Sequence, residues 1–269
     1  MRVCYPVASV RKPNKGQKLR IVSLAPSATS ILCAIGAKKF LVGVTKWCTA
    51  VADVRELPQV GDCWRMESLE ELLALQPTLV IGSVPYKQET VADLLKEPLN
   101  FLAMNPRTLA DIAEDILLLG RITGCSAVAR QTVERMHRAF ASVANQQGKQ
   151  RRTRVYCEAW PNPRITSPPW VAEIVKIAGG HMIQPAGERV SETQIAESAP
   201  EVIVLAWAAT GKNADPRQAY KVAAWKEVPA IRAKRVHVVS DELLNTPGPP
   251  LVKGAMELRR ILTAAREPA

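Results

Sequence analysis

The chain alternates short apolar runs with stretches whose apolar residues recur at helical spacing. RIVSL is followed by SATSILCAIGA, then comes FLVGV; SLEELLAL precedes TLVIGS, and TVADLLKE precedes NFLAM. Short apolar runs bounded by turn residues read as buried strands, and their alternation with helical segments is the pattern of βα units around a mainly parallel sheet. This series occupies residues 20–106.

From 107 to 148 the strand pattern lapses. Leu109, Ile112, Ile116 and Leu119 form a helical stripe that ends near Gly124, and a second stripe runs from Ser126 through Val133, Met136, Phe140 and Val143 to Gln147. At 1.5 Å per residue this second helix spans about 33 Å, enough to cross a domain. The alternation resumes at 149–269 with VYCEAW, WVAEIVKIAGG, SETQIAES, EVIVLAW and VHVVS, and closes on a helix near PLVKGAMELRRILTAA. The expectation is an α/β fold of two lobes, 20–106 and 149–269, each with a mainly parallel central sheet. A helical linker at 107–148 joins them, and a basic tail at 1–19 precedes them.

An internal repeat supports this division. SLEELLALQPTLVI at 68–81 matches SETQIAESAPEVIV at 191–204 without a gap. Ser68 and Ser191 each have Glu71 or Gln194 three positions on, the spacing of a capping box, and Pro77 and Pro200 separate helix from strand.

Composition narrows the function classes. No apolar run approaches the roughly 20 residues that span a bilayer, so membrane insertion is not expected. The formal charge is +11, but residues 1–20 carry +6 of it and Lys149, Arg151, Arg152 and Arg154 another +4. Charge confined to a tail and a linker reads as solvated, and no nucleic-acid partner is expected. The six cysteines, at 4, 33, 48, 63, 125 and 157, show no C-x-x-C pair or zinc spacing; Cys33 and Cys125 read as buried small residues, and disulfide state stays open. His137, His181 and His237 are too scattered for a metal site: His137 and His237 fall in a helix and a strand, and His181 reads as a cap or loop residue.

Two polar residues invite a catalytic reading. Ser27, in APSAT, has neither the glycines of a nucleophile elbow nor the lysine of a phosphate loop, and reads as an N-cap. Glu158 stands at the exit of a strand but lacks a partner acid, nucleophile or orienting histidine. No catalytic residue is assigned. The aromatics are more informative. Trp47, Trp160 and Trp207 end strands, Trp64 lies in the loop DCWRME, and Tyr86 follows TLVIGS. Residues at the carboxyl ends of parallel strands line the usual ligand crevice, so these five are candidate ligand contacts for a bulky, partly apolar molecule. Trp170 and Trp225 fall in helical patterns and read as core.

RIVSLAPSATSILCAIGA, LVGVTKWC, LPQVGDCW and SLEELLALQPTLVI in the first lobe, with VYCEAWPNPRITSPPWVAEIVKIAGG, SETQIAESAPEVIV and VPAIRAKRVHVV in the second, resemble the vitamin B12 and iron-siderophore substrate-binding proteins of ABC importers. The resemblance covers about 19–265. It implies the class III periplasmic-binding-protein architecture, with two α/β lobes bridged by a long backbone helix, and a monomer with no catalytic cofactor. It also implies a corrinoid or metal-chelate ligand in the interlobe cleft, cobalamin before a ferric siderophore or haem. Trp47, Trp64 and Trp160 stand nearest the family's aromatic cleft positions, and Asp241 matches an acidic cleft residue. Glu70 matches one of two surface glutamates that dock on the permease dimer. At the second docking position stands Thr193, with Glu192 one residue earlier. Ser30 occupies a place where relatives often carry glutamate. The family is periplasmic, whereas the apolar patch VCYPVASV is too short for an export signal. The expectations are therefore an exported receptor or a cytoplasmic relative, and the rival class is a cytoplasmic α/β enzyme or cofactor-handling protein using Glu158 and Asp241.

Overall fold

A computed structural model of the chain describes residues 18–66, 68–146 and 151–266. Most of the basic tail, with Cys4, lies outside the described residues, as do Lys149 and the expected helix end at Gln147.

The first lobe runs β1 (Ile21–Ser23), α1 (Pro26–Ala34), β2 (Leu41–Thr45), β3 (Gln59–Val60), α2 (Leu69–Ala74), β4 (Leu79–Ser83), α3 (Gln88–Leu94) and β5 (Phe101–Met104). Its strands are all parallel, in the order β3-β2-β1-β4-β5. α4 (Leu109–Ile122) and α5 (Ser126–Asn145) follow. The second lobe runs β6 (Thr153–Pro161), β7 (Arg164–Thr166), α6 (Pro169–Ile177), β8 (Gly180–Met182), α7 (Glu192–Glu197), β9 (Val202–Leu205), α8 (Arg217–Tyr220), α9 (Pro229–Arg232), β10 (Val236–Val238) and α10 (Leu251–Ala264). Here β8, β6, β9 and β10 are parallel neighbours, and β7 is an antiparallel hairpin partner of β6. By position β1, β2, β4 and β5 correspond to β6, β8, β9 and β10. Strands covered by helices on both faces need apolar side chains on both, and IVS and VIVL are buried at every position.

The α4–α5 hairpin is fixed by small residues. Gly124 takes φ +71° just past α4, and a Cβ on Gly120 would lie 2.4 Å from that of Ala129. The 20 residues of α5 span about 30 Å. α4 packs on α1, α5 packs on α6 and α10, and one core cluster runs from Ile21 and Ile31 through Ile116 and Phe140 to Ile174 and Leu258.

The repeat extends to the backbone. Ser68 and Ser191 both cap their helices, although only Ser191 and Gln194 complete the reciprocal box. Gln76 and Ala199, at equivalent places, both have φ 47°. α1 and α6 also correspond, each opening on a proline and each followed by a positive-φ glycine, Gly36 or Gly179. Four residues after its proline, Glu173 reaches across the lobes and accepts a hydrogen bond from Leu109 N at 3.1 Å. With Thr108 and Asp111 forming a capping box, this satisfies the first N–H of α4. Ser30, its counterpart, faces Gly248 instead, where an added Cβ would lie 2.8 Å from Ser30 Oγ. Any side chain on Gly248 would therefore crowd Ser30. Replacing Glu173 by alanine is expected to lower the unfolding free energy by about 1 kcal/mol, measured by urea denaturation. An unchanged midpoint would remove Glu173 from the interlobe contact.

Two expectations are corrected. Ser27 is not the cap of α1: Ala25 holds that place without a side-chain bond, and Pro26 begins the helix because its fixed φ and missing N–H suit the first helical position. Cys33 and Cys125 are half-buried rather than buried, and the five described cysteines are free thiols.

Asp115 on α4 is half-buried, and burial, helped by Asp111 one turn earlier, pushes its pKa up to about 6. An unfolded aspartate titrates near 3.9, so the folded state holds the proton longer and stability falls as pH rises from about 4 to about 6. Asp115→Asn is expected to add about 1 kcal/mol at pH 7.5, after discounting for solvent screening, and nothing at pH 3.5. Urea titrations at both values test this, and a gain independent of pH contradicts it.

Candidate functional site

The carboxyl ends of the two sheets face one another. α1 and α4 begin at the carboxyl ends of β1 and β5, and the second turn of α1 meets Gly248 while the first residue of α4 meets Glu173 of the second lobe. The strand ends that carry the candidate ligand contacts therefore lie on the sides where the two lobes meet.

On the first lobe, Trp47 sits in a 3-10 turn after β2, where Thr45 Oγ1 accepts from its backbone N at 3.2 Å. Its indole Nε1 donates to Asp62 Oδ2 at 3.2 Å, and Lys46 Nζ lies 4.6 Å from the ring centroid. The other oxygen of Asp62 accepts from Trp64 N at 2.8 Å and Arg65 N at 2.7 Å. One carboxylate thus holds the Trp47 indole and the backbone of the loop that carries Trp64. Asp62 is the residue that sequence reasoning missed, and its signal was an aspartate two positions before a loop aromatic, the spacing of an Asx turn. On the second lobe, Trp160 ends β6 and donates from Nε1 to Asn162 O at 2.9 Å, which fastens it to the β6–β7 turn. Trp47, Trp64 and Trp160 are 38, 58 and 43% exposed, whereas Trp170, Trp207 and Trp225 are buried.

The remaining candidates are otherwise engaged. Trp207 is 5% exposed and donates from Nε1 to Glu158 Oε1 at 2.8 Å, so it stands behind the strand ends rather than open to the seam. Tyr86 donates from its hydroxyl to Met104 O at 2.9 Å and meets Phe101 edge-on, facing into the first lobe; burial raises its pKa. Asp241 accepts from Ala209 N and Gly211 N, both at 2.9 Å, and so pins the loop after β9; burial nonetheless raises its pKa.

Glu158 is fully buried and accepts from Tyr156 Oη at 2.6 Å, Arg164 Nη1 at 2.9 Å and Trp207 Nε1 at 2.8 Å. A carboxylate with three donors and no access to solvent is a structural hub, which leaves it no substrate proton to take. Arg164 lies over the Trp225 ring at 4.5 Å and also donates from Nη2 to Glu192 Oε1 at 3.1 Å. Glu192 is the first residue of α7 and lies at the surface. Glu70, on the first turn of α2, is exposed and makes no ion pair with a described residue.

Among the described residues no group of three or more His, Cys, Asp and Glu side chains could hold a metal ion, and no helix is long and apolar enough to cross a membrane. His137 lies exposed on α5; His181 is in β8 rather than a loop, paired with the amino-terminal part of β6; and His237 lies half-buried in β10. None is at the carboxyl end of a β6–β9 pair or of the first sheet. Burial lowers the pKa of His237.

Residues 21–243 match the model of the periplasmic binding protein family. The chain belongs to that family. Its members are non-catalytic substrate-binding proteins, which agrees with the saturated environment of Glu158. The chain is 26% identical over 259 residues to an ABC transporter substrate-binding lipoprotein of Bacillus subtilis, covering 91% of this chain and 80% of the relative. It is 24% identical over 249 residues to the vitamin B12-binding protein of Vibrio parahaemolyticus, covering 89 and 87%. Two solved structures share the fold: the periplasmic vitamin B12-binding protein of Vibrio cholerae, with TM-score 0.74, 22% identity and coverage of 93 and 98%, and a periplasmic haem-binding protein from Roseiflexus, with TM-score 0.78, 21% identity and coverage of 93 and 100%. The two-lobe α/β class is that of this family.

Proposed function

We propose that this protein is the substrate-binding component of an ABC importer and that it holds cobalamin, or a closely related corrinoid, between its lobes. The observation that carries the reading is the division of the six tryptophans: the three exposed ones all lie at or after strand carboxyl ends, two on the first lobe and one on the second. Large exposed aromatics are otherwise costly, and facing aromatic walls suit a broad, partly apolar ring system.

Haem is the second reading, favoured by the likeness to haem-binding structures. Haem iron takes an axial donor such as histidine or tyrosine from the protein. The described histidines lie away from the seam, the Tyr86 and Tyr156 hydroxyls are already bonded to Met104 O and Glu158, and the exposed Tyr220 stands on α8 rather than at a strand end. Cobalamin brings its own lower axial base. Equilibrium dialysis against cyanocobalamin, haemin and a ferric siderophore is expected to give saturable binding of the corrinoid at low micromolar concentration or below. Preference for either iron chelate would overturn the assignment.

Glu70 and Glu192 supply the docking carboxylates for a permease dimer, with Glu192 shared with Arg164. The protein acts as a monomer on the outer side of the cytoplasmic membrane, in the periplasm where there is one. Glu70→Arg is expected to leave corrinoid affinity unchanged and to cut uptake about tenfold, by placing like charges together. Full uptake with that variant would dismiss the docking role.

A further inference from the structure

Among the described residues three basic side chains lie over aromatic rings: Lys39 over Phe40 at 5.2 Å, Lys46 over Trp47 at 4.6 Å and Arg164 over Trp225 at 4.5 Å. Trp225 is buried, and Phe40 is half-buried against the core of the first lobe. Only Lys46 covers a ring that is a candidate ligand contact, and both Lys46 and Trp47 are exposed.

The local structure explains how the pair is held. Lys46 opens the 3-10 turn Lys46–Ala50 directly after the carboxyl end of β2, and Cys48, buried two residues on, anchors that turn to the lobe. Thr45 Oγ1, accepting from Trp47 N, fixes its start. The Trp47 ring is tethered at its edge by the bond from Nε1 to Asp62 Oδ2. A carboxylate at the edge of an indole adds negative potential to the ring and so strengthens its attraction for a cation above its face. The other oxygen of Asp62 is occupied by the backbone N–H groups of Trp64 and Arg65, and Lys46 makes no ion pair with a described residue. The ammonium therefore stands over the ring without a carboxylate paired to it. It has three donors, and the ring lies on one side of it, so the others are open to a further acceptor.

This makes the two aromatic walls electrically unequal. A ring system that meets Trp47 has the uncovered face of the indole to stack on and lies next to a positive charge. On the second lobe the Trp160 indole bonds a neutral acceptor, Asn162 O, and no described basic side chain lies over its ring. A ligand with an anionic group on one side is oriented by this difference, with that side toward the first lobe.

We propose that Lys46 is a specificity-determining residue that takes the phosphodiester of a nucleotide-bearing corrinoid, so that complete cobalamin is preferred to its nucleotide-free form. The proposal rests on the corrinoid reading and adds the direction of the ligand: the nucleotide side lies toward the first lobe.

The test is equilibrium dialysis of cyanocobalamin and of dicyanocobinamide, which lacks the nucleotide and its phosphodiester, with the unaltered protein, Lys46→Met and Lys46→Arg. Methionine keeps an apolar stem beside the ring and removes the charge. Lys46→Met is expected to weaken cyanocobalamin binding about fivefold, the size of a partly exposed ion pair, and dicyanocobinamide binding less than twofold. Lys46→Arg should retain the preference of the unaltered protein. The readout is the change in preference on substitution, which cancels contacts made by the nucleotide base. Raising the salt from about 0.01 M to about 1 M, which shortens the screening length from about 30 Å to about 3 Å, should reduce the preference of the unaltered protein but not that of Lys46→Met. The three proteins should melt alike, since the side chain is exposed. A Lys46→Met protein that binds both corrinoids as before, or loses both equally, would overturn the role of Lys46 while leaving the corrinoid reading standing. Failure of both corrinoids to bind the unaltered protein would overturn that reading and this assignment with it.

Discussion

Replacing Trp160 by alanine is expected to weaken cyanocobalamin binding about 30-fold, or about 2 kcal/mol, the size of a buried aromatic anchor at a binding surface. The first lobe presents two exposed tryptophans, one bonded to Asp62 through its indole and the other through its backbone, so loss of either leaves the other. The second lobe presents Trp160 alone among the exposed tryptophans, already fastened through its indole to Asn162 O. That bond fixes the ring before the ligand arrives, which reduces the ordering cost of binding. Trp160→Phe should keep most of the affinity, since it retains a flat apolar face. Tyr220→Ala, on α8 and equally exposed, should change nothing. Because Trp160 is 43% exposed, its truncation should leave folding stability within about 0.5 kcal/mol. Calorimetric titration of the three variants checks this, and a Trp160→Ala protein with undiminished affinity would remove the second lobe's aromatic wall from the account.

The second large effect is on stability. Glu158→Ala is expected to cost about 3–5 kcal/mol, because it leaves the Arg164 guanidinium without its buried carboxylate and strips the Tyr156 hydroxyl and Trp207 indole of their acceptor. Against a typical domain stability of about 5–15 kcal/mol, that is a large share. Arg164 would keep its bond to Glu192 and its place over Trp225, so the loss should stop short of unfolding. Glu158→Gln, which keeps an acceptor and the shape, should cost less than half as much. Urea unfolding followed by tryptophan fluorescence measures both. A fully stable Glu158→Ala protein would contradict the role of hub, and the same protein with ligand turnover abolished would revive a catalytic one.

Much of the fold was legible because burial imposes periodicity. Strands such as VIVL and helices such as α4 carry their apolar positions at the spacings that two covered sheet faces and one packed helix face require. The repeated units were legible because capping residues and prolines recur at fixed offsets, and the repeat reached even the positive φ values of Gln76 and Ala199. What escaped the sequence was set by long-range contacts. Ser27 looked like a cap because it follows a strand and opens a run of small hydroxyl residues, but Pro26 starts the helix one position earlier. Trp207 ends a strand as Trp160 does, yet the buried Glu158 draws its indole inward. Tyr86 follows a strand end and still turns into the lobe, where Met104 O accepts its proton. Strand-end position therefore identified the aromatics near the seam, and only the partner of each ring nitrogen or hydroxyl divided those open to a ligand from those serving the core. Asp62, which holds the Trp47 ring and the backbone of Trp64, carried a local signal in its spacing to Trp64, whereas its bond to Trp47 spans 15 residues and has none.

The most direct test of the central claim is a crystal structure of the protein grown with cyanocobalamin. The account predicts one corrin ring in the seam, its faces or edges against Trp47 and Trp64 on one lobe and Trp160 on the other. Corrin bound elsewhere on the molecule, or none at ligand concentrations well above the protein, would contradict it.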